Sequence, residues 1–413
     1  QRSFTGAKRL SINVISADFN RREFLEKYWQ KEPVLIRQLI PQLVDPLSPE
    51  ELARCACEEL VESRVITEFD PDDYTLKNGP FEEEDFTSLP ESHWTLLVQA
   101  MDQWFDEVAD LRKQFDFVPS WRVDDVMISF ACKDGGVGPH FDNYDVFLLQ
   151  GQGQRKWRLG QRCDDLTPLR KGAQLRLLES FETCEEFILN PGDALYVPPR
   201  VAHWGVSLDD SLCYSIGFRA PSHSEMIEGF SDFLIRSSAS SHRFEDPSID
   251  LPVDPALIQQ SSLVDSFNML RANLDNEPLF QQWFGCHVTQ PKYPELIVQI
   301  DRGSAKRVGK ELKLADLVRH NPSSRFAYMI NSDIAATLGD GGEAQSAAAA
   351  NACPVTLFVD GNAAEFDACD AQSIRRLCDP RPIEKRELKS MLSIESINEL
   401  LEQLVVQGSL VIE

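Results

Sequence analysis

Asn190-Pro191-Gly192-Asp193-Ala194-Leu195-Tyr196-Val197-Pro198-Pro199-Arg200-Val201-Ala202-His203 reads as strand, break, strand. Gly192-Asp193 supplies a turn, and Leu195 and Val197 alternate into a core. Pro198-Pro199 cannot continue a hydrogen-bonded ladder, so one strand ends there and another begins before His203. The same grammar extends on both sides, from Trp121 to Ala220. Val126 to Phe130, Val146 to Leu149, Lys156 to Leu159, Glu186 to Leu189 and Leu212 to Phe218 are short apolar runs separated by Gly, Pro and Asp. Such spacing predicts a sandwich or jelly-roll barrel.

Upstream of the phrase lies Gly135-Gly136-Val137-Gly138-Pro139-His140-Phe141-Asp142. The glycines predict a bend that sets His140 at a strand start near a barrel mouth. His140 and Asp142, two apart in an extended run, leave the same face with Cα atoms about 6.6 Å apart. A His-x-Asp tripeptide is common by itself, but His203 offers a third ligand from a distant strand. Two histidines and one carboxylate leave open positions on a six-coordinate ion and suit non-heme Fe(II) oxygenases. His93, His223, His242, His287 and His320 lack any such context and read as structural or surface residues.

Oxygen activation of this kind needs an electron source. A 2-oxoacid that chelates iron supplies one, and its far carboxylate then needs a cation. In Gln150-Gly151-Gln152-Gly153-Gln154-Arg155-Lys156-Trp157-Arg158-Leu159, a turn at Gly151 to Gly153 is expected to return the chain antiparallel to the His140 strand. Trp157 and Leu159 belong inside, so Arg155 points inward with them, where a bidentate carboxylate would satisfy its guanidinium. The opposite assignment leaves Arg155 in solvent and Lys156 inside. Tyr144, in register with His140 and Asp142, is either a wall of the mouth or barrel packing.

The 413 residues predict two or three domains. A formal net charge of -25 argues against a nucleic-acid surface and suits a basic partner. Ten scattered cysteines read as reduced thiols. No apolar run is long enough for a membrane span and the first thirty residues lack a signal-peptide pattern, so the cytoplasm is the expected compartment.

A helix is expected over Arg21 to Trp29, a strand over Pro33 to Arg37, a solvated acidic loop over Phe69 to Asp85 and an amphipathic helix over Trp94 to Phe115. After Ser222 two helices are expected, Glu225 to Ser237 and Ser261 to Phe284, joined by Asp246 to Pro255. Their apolar residues, Phe230, Phe233 and Leu234 in the first and Leu263, Phe267, Leu270 and Leu274 in the second, suit either an oligomer interface or an internal core. An Ala/Gly-rich stretch from Ala335 to Pro354 is expected to loop. The chain then ends with a helix Ile394 to Val406, a turn at Gln407-Gly408 and a strand Ser409 to Ile412, similar to a winged helix. Residues 301–413 carry 13 Lys and Arg against 17 Asp and Glu, which favours protein contact over nucleic acid.

Met127-Ile128-Ser129-Phe130, Gly135 to His140, Tyr144-Asp145-Val146-Phe147, Arg155-Lys156-Trp157-Arg158 and Tyr214 to Pro221 resemble the bacterial ribosomal oxygenases of the JmjC class. Gly79-Pro80-Phe81-Glu82, Trp94 to Gln99 and Gln282-Trp283-Phe284-Gly285 extend the likeness over most of the chain. The resemblance implies a mixed α and β fold: a double-stranded β-helix (cupin/JmjC) barrel over 1–220, a helical dimerisation region over 221–290 and a winged-helix-like domain over 291–413. It implies a homodimeric Fe(II)- and 2-oxoglutarate-dependent dioxygenase. The expected substrate is an arginine side chain of the sixteenth protein of the large ribosomal subunit, a basic partner, with 2-oxoglutarate decarboxylated to succinate by molecular oxygen. His140, Asp142 and His203 match the metal triad, Arg155 the residue that binds the distal carboxylate of 2-oxoglutarate, and Ser215 a position lining that pocket. Cys213 departs from the family pattern, which has Asn there, so a polar contact to the cosubstrate is lost or replaced. Two other readings predict different behaviour. A cupin metalloenzyme without 2-oxoglutarate needs a metal-binding glutamate, which is missing around His140; a non-catalytic dimer that docks on a partner gives no absorption band with Fe(II) and 2-oxoglutarate.

Overall fold

The computed structural model describes residues 13–15, 19–70, 73–237, 243–245, 254–331 and 354–413. The Ala/Gly-rich stretch and most of Asp246 to Pro255 lie outside them. The chain divides into two compact units, residues 1–220 and 221–413.

In the first unit the strands are β1 (Asn13–Ile15), β2 (Val34–Ile36), β3 (Ser63–Asp70), β4 (Asp73–Asn78), β5 (Trp94–Val98), β6 (Val123–Ala131), β7 (Val146–Gln150), β8 (Arg155–Arg162), β9 (Glu185–Leu189), β10 (Ala194–Val197), β11 (Val201–Ser207) and β12 (Ser211–Phe218). They form a nine-stranded sheet, ordered β1-β2-β10-β7-β12-β6-β5-β3-β4, and a three-stranded sheet, β11-β8-β9. Strand parity shows how the sheets stack. Val146, Leu148, Leu195 and Val197 of the large sheet share one apolar cluster with Trp157, Leu159 and Val201 of the small one. The two sheets thus close face to face as a double-stranded β-helix, a jelly-roll barrel.

The alternate residues Phe147, Leu149, Tyr196 and Ile216 pack outward against Phe24, Leu52, Val108 and Leu111. These come from the helices α1 (Arg21–Lys27), α2 (Pro49–Cys55) and α4 (Asp106–Lys113), with the short α3 (Glu83–Thr87) between α2 and α4. A sheet buried on both faces has strands without polar alternation, which explains the unbroken Val146-Phe147-Leu148-Leu149.

The same effect overturns the helix expected from Trp94 to Phe115. Trp94 to Val98 is β5, paired to β3 and β6 in the middle of the sheet, and Ala100, at φ +54°, ends it. Only Asp106–Lys113 is α-helical. Leu96 and Leu97 are both apolar because both sheet faces demand apolar side chains, and Met101 follows in a short 3-10 turn, so the three do not share a helix face. The acidic stretch Phe69 to Asp85 is likewise the end of β3, all of β4 and the start of α3 rather than a loop.

In the second unit, α5 (His223–Ser237) packs on α7 (Glu277–Val288) through Phe230, Leu234, Phe280 and Trp283. The single helix expected from Ser261 to Phe284 is two, because α6 (Gln260–Leu274) stops before Asn276, whose side chain caps α7, and Pro278 occupies the first turn of α7. Among the described residues the apolar side chains of α6 find no core: Leu263, Phe267 and Leu270 are 51%, 62% and 58% exposed.

Farther on, helices Val308–Leu314, Lys385–Leu392 and Glu395–Val406 pack with Leu317–His320, Ile383–Glu384 and Leu410–Ile412 around Leu312, Val318, Leu388, Leu401 and Leu410. This is a winged-helix domain, and Gly408 at φ +86° makes the expected turn between its last helix and strand. Among the described residues no helix is long and apolar enough to cross a membrane.

Candidate metal centre

The site begins at Gly138. Its φ of +78° lies in the left-handed region, and a Cβ there would fall 2.8 Å from Leu177 and 3.1 Å from the Tyr74 ring. Glycine permits the bend that leads into His140. His140 is not in a strand as expected; it forms one isolated antiparallel bridge with His203 of β11. His140 N donates to His203 O at 3.1 Å and His203 N to His140 O at 2.8 Å. Directly opposed residues project to one side, and the two rings lie with centroids 4.2 Å apart. The face shared by the two histidines is therefore set by cross-strand pairing.

In both rings Nδ1 faces a main-chain carbonyl, Gly138 O at 2.9 Å for His140 and Val201 O at 3.0 Å for His203. A carbonyl only accepts, so Nδ1 carries the proton and Nε2 presents its lone pair to the site. Asp142 brings Oδ2 to 3.5 Å from His203 Nε2 and 4.0 Å from His140 Nε2. One donor atom from each of His140, Asp142 and His203 lies within 4.8 Å of the others. Burial, reinforced by His140 beside it, pushes the His203 imidazole down to about 4, which keeps it neutral and able to ligate near neutral pH. Two imidazoles and a carboxylate fit a divalent ion with open positions.

Tyr144 stands beside this cluster. Its residue is 43% exposed, yet desolvation of the hydroxyl and the neighbouring Asp142 carboxylate raise its pKa. Nearby, Asp125 is buried, and its two oxygens accept from Gln99 Nε2 at 3.1 and 2.9 Å.

Arg155 points inward with Trp157 and Leu159, all three buried, while Lys156 and Arg158 are partly exposed. β8 does not run beside the His140 segment, however. It pairs with β11 and β9, so β11 separates the two. The reason is that the Gly151 to Gly153 turn carries the chain from the large sheet to the small one. Arg155 Nε donates to Ser211 Oγ at 2.8 Å and Nη1 to Ser129 Oγ at 2.8 Å. Nη2 donates to Ser129 O at 3.0 Å and Ser211 O at 3.1 Å. One Nη1 proton remains, and among the described residues no carboxylate pairs with the guanidinium. Burial lowers its pKa. A buried cation without a counter-ion is costly and fits an anionic ligand.

Ser211, Cys213 and Ser215 alternate along β12 on the inward face, and all are buried. Cys213 sits close enough for Arg155 to counter the rise that burial imposes on its thiol. Ser215 pairs with Met127 and Leu148, two positions beyond Cys213; the hydroxyls on the guanidinium are those of Ser129 and Ser211. Sequence reasoning passed over both. The signal was present in Ser211-x-Cys213-x-Ser215, polar residues at every second position of an otherwise apolar strand.

Residues 110–226 match the JmjC domain family and residues 270–411 the ROXA-like winged helix. The chain is 38% identical over 275 residues to the ribosomal protein uL16 3-hydroxylase of Escherichia coli, 66% of this chain and 72% of that protein. It is 42% identical over 209 residues to a probable ribosomal oxygenase of Haemophilus influenzae, 50% of this chain and 52% of that one. Among solved structures, the E. coli ribosomal oxygenase YcfD in complex with cobalt and 2-oxoglutarate superposes with a TM-score of 0.80 at 30% identity, over 96% of this chain and 99% of its own.

Proposed function

Because the chain belongs to the JmjC-domain ribosomal oxygenases, we propose that it is an Fe(II)- and 2-oxoglutarate-dependent hydroxylase of an arginine side chain in the large-subunit ribosomal protein uL16. The observation that carries this reading is the pairing of the His140, Asp142 and His203 donor set with a buried Arg155 that has no counter-ion among the described residues.

Bound Fe(II) and 2-oxoglutarate supply the oxidising power: from one O2, one oxygen atom goes into succinate as CO2 leaves, and the other enters a substrate C–H bond as a hydroxyl. The protein's part is to hold and orient. Nε2 of His140, Nε2 of His203 and the Asp142 carboxylate hold the metal, and the Nδ1 bonds to Gly138 O and Val201 O prevent the rings from turning. Tyr144 steadies Asp142 through its hydroxyl. Arg155, itself fixed by Ser129 and Ser211, binds the distal carboxylate with its remaining Nη1 proton, and the inward face of β12, Ser215 included, lines the cosubstrate chamber.

Arginine as the acceptor is supported by the mouth, where the ring of Tyr144 offers a π face and Asp125 a buried carboxylate, both suited to a guanidinium. The exposed apolar row of α6 supports a homodimer, and modification of a ribosomal protein fits a cytoplasmic enzyme. The test is to incubate the protein with Fe(II), 2-oxoglutarate, O2 and purified uL16 and map any added oxygen by mass spectrometry. One oxygen on an arginine, lost with Asp142→Ala, is the expected result. Oxygen only on histidine or lysine, or full activity of Asp142→Ala, overturns the reading.

A further inference from the structure

An arginine within a protein substrate arrives as part of a chain, and that chain must be held beside the mouth. β4 is the terminal strand of the large sheet. Gly79 N donates to Ser63 O at 2.9 Å, and by the alternation of an antiparallel ladder Lys77 and Thr75 then direct their main-chain groups to β3, while Asn78 and Leu76 direct theirs away. The outward row is already engaged at one point. Leu76 N donates to Oε1 of Gln174 at 3.0 Å, a side chain 98 residues away in sequence. A primary amide is the chemical equivalent of a peptide group, so Gln174 occupies the place of a neighbouring strand.

We propose that β4 is a docking edge for an extended segment of the substrate protein, whose main chain displaces Gln174. The inference rests on the substrate reading above. Both faces beside the edge suit such an occupant. On one face Ile66, Tyr74, Leu97 and Leu177 form an apolar cluster with Met127 and Val137 packed on it. Tyr74 and Leu177 also abut Gly138, two residues before His140, so this floor runs from the edge to the metal ligands.

On the other face, Val65, Thr67, Thr75 and Lys77 line a groove of ≈ 200 Å³ closed by Phe81 and Leu89. Side chains of an added strand alternate between the two faces, with main-chain bonds for affinity and pockets for selectivity. One set meets the floor that leads to the metal ligands, and the other enters the groove, where Asp85, paired with Lys77, can exchange that lysine for a basic side chain. A basic segment also suits a chain of net charge -25.

Amide hydrogen exchange of the full chain, loaded anaerobically with Fe(II) and 2-oxoglutarate and mixed with purified uL16, tests this directly. Exchange at Asn78 and Leu76 is expected to slow, with Thr75 and Lys77, whose amides face β3, unchanged. Asn78→Pro removes an outward donor without touching the β3 ladder; it should raise KM for uL16 roughly fivefold and spare kcat. Gln174→Ala, which removes the competing amide, should leave that KM unchanged or lower it. The wild-type exchange measurement does not depend on how either variant folds. If uL16 is hydroxylated in a parallel incubation with O2 but gives no protection at Asn78 and Leu76, the docking edge alone is overturned. If uL16 stays unmodified in that incubation, the substrate reading falls and the docking edge with it.

Discussion

Arg155→Met separates what the buried guanidinium does for the fold from what it does for the cosubstrate. In the wild type, Arg155 makes four hydrogen bonds to Ser129 and Ser211, worth about 1.5 kcal/mol each for a charged donor, or about 6 kcal/mol. Against this stands the desolvation of a cation with no carboxylate beside it, which costs several kcal/mol after relaxation. The two nearly cancel. Methionine fills a similar volume, and the two hydroxyls keep other neighbours, since Ser129 Oγ also donates to Cys213 O at 3.4 Å and Ser207 Oγ contacts Ser211 Oγ. The variant is therefore expected to stay within about 2 kcal/mol of the parent, a shift in melting temperature of no more than about 8 °C.

Cosubstrate affinity should behave differently. Losing a charge-assisted carboxylate contact in a buried site costs about 3 kcal/mol, or roughly 150-fold in affinity. The assays are thermal melting with and without 2-oxoglutarate and isothermal titration of 2-oxoglutarate into the metal-loaded protein. The parent should melt higher with 2-oxoglutarate and the variant should not. Affinity that changes by less than about threefold refutes the counter-ion argument, and a variant that fails to fold shows that the cation is structural instead.

Three further outcomes follow from the geometry. His203→Ala removes the most buried donor of the triad and should abolish metal-dependent turnover; Co(II) absorption spectra check whether the ion is lost. Asp193 is desolvated by burial, yet N–H donation from Asn190 and Gln38 and the Arg37 cation hold its carboxyl below the ordinary range. Its contribution to stability is present above its unfolded pKa near 4 and lost as pH falls through the lower folded value, so Asp193→Asn should flatten the acid limb of a stability-versus-pH curve and cost about 1–3 kcal/mol at neutral pH. If the proposed homodimer forms through the exposed face of α6, Phe267→Glu should convert it to a monomer in light scattering with little change in helical content; a dimer that persists removes α6 from the interface.

The strands were legible because turn chemistry is local. Gly, Pro and Asp stop a ladder wherever they fall, and Val146 to Leu149 or Leu212 to Phe218 is apolar enough to be a strand in any barrel. The Trp94 to Phe115 region was not legible, because a central strand buried on both faces and a helix stripe leave similar apolar patterns. Only the partner strands β3 and β6 settle that case. Arg155 was half legible: parity with Trp157 and Leu159 turned it inward, but its supporting serines lie 26 and 56 residues away.

The chain's local chemistry was sufficient to nominate His140, Asp142, His203 and Arg155, since residue type and close spacing are properties of neighbours in sequence. Their convergence was a different matter. His140 and Asp142 face the site through a single bridge to His203 and not through a strand of their own, and β8 crosses to the small sheet in a way that leaves Arg155 without a counter-ion among the described residues. Pairing across the 63 positions that separate His140 from His203, and the absence of a carboxylate from a buried space among the described residues, depend on which distant segments meet. Long-range packing determines those, and no local pattern of residues encodes them.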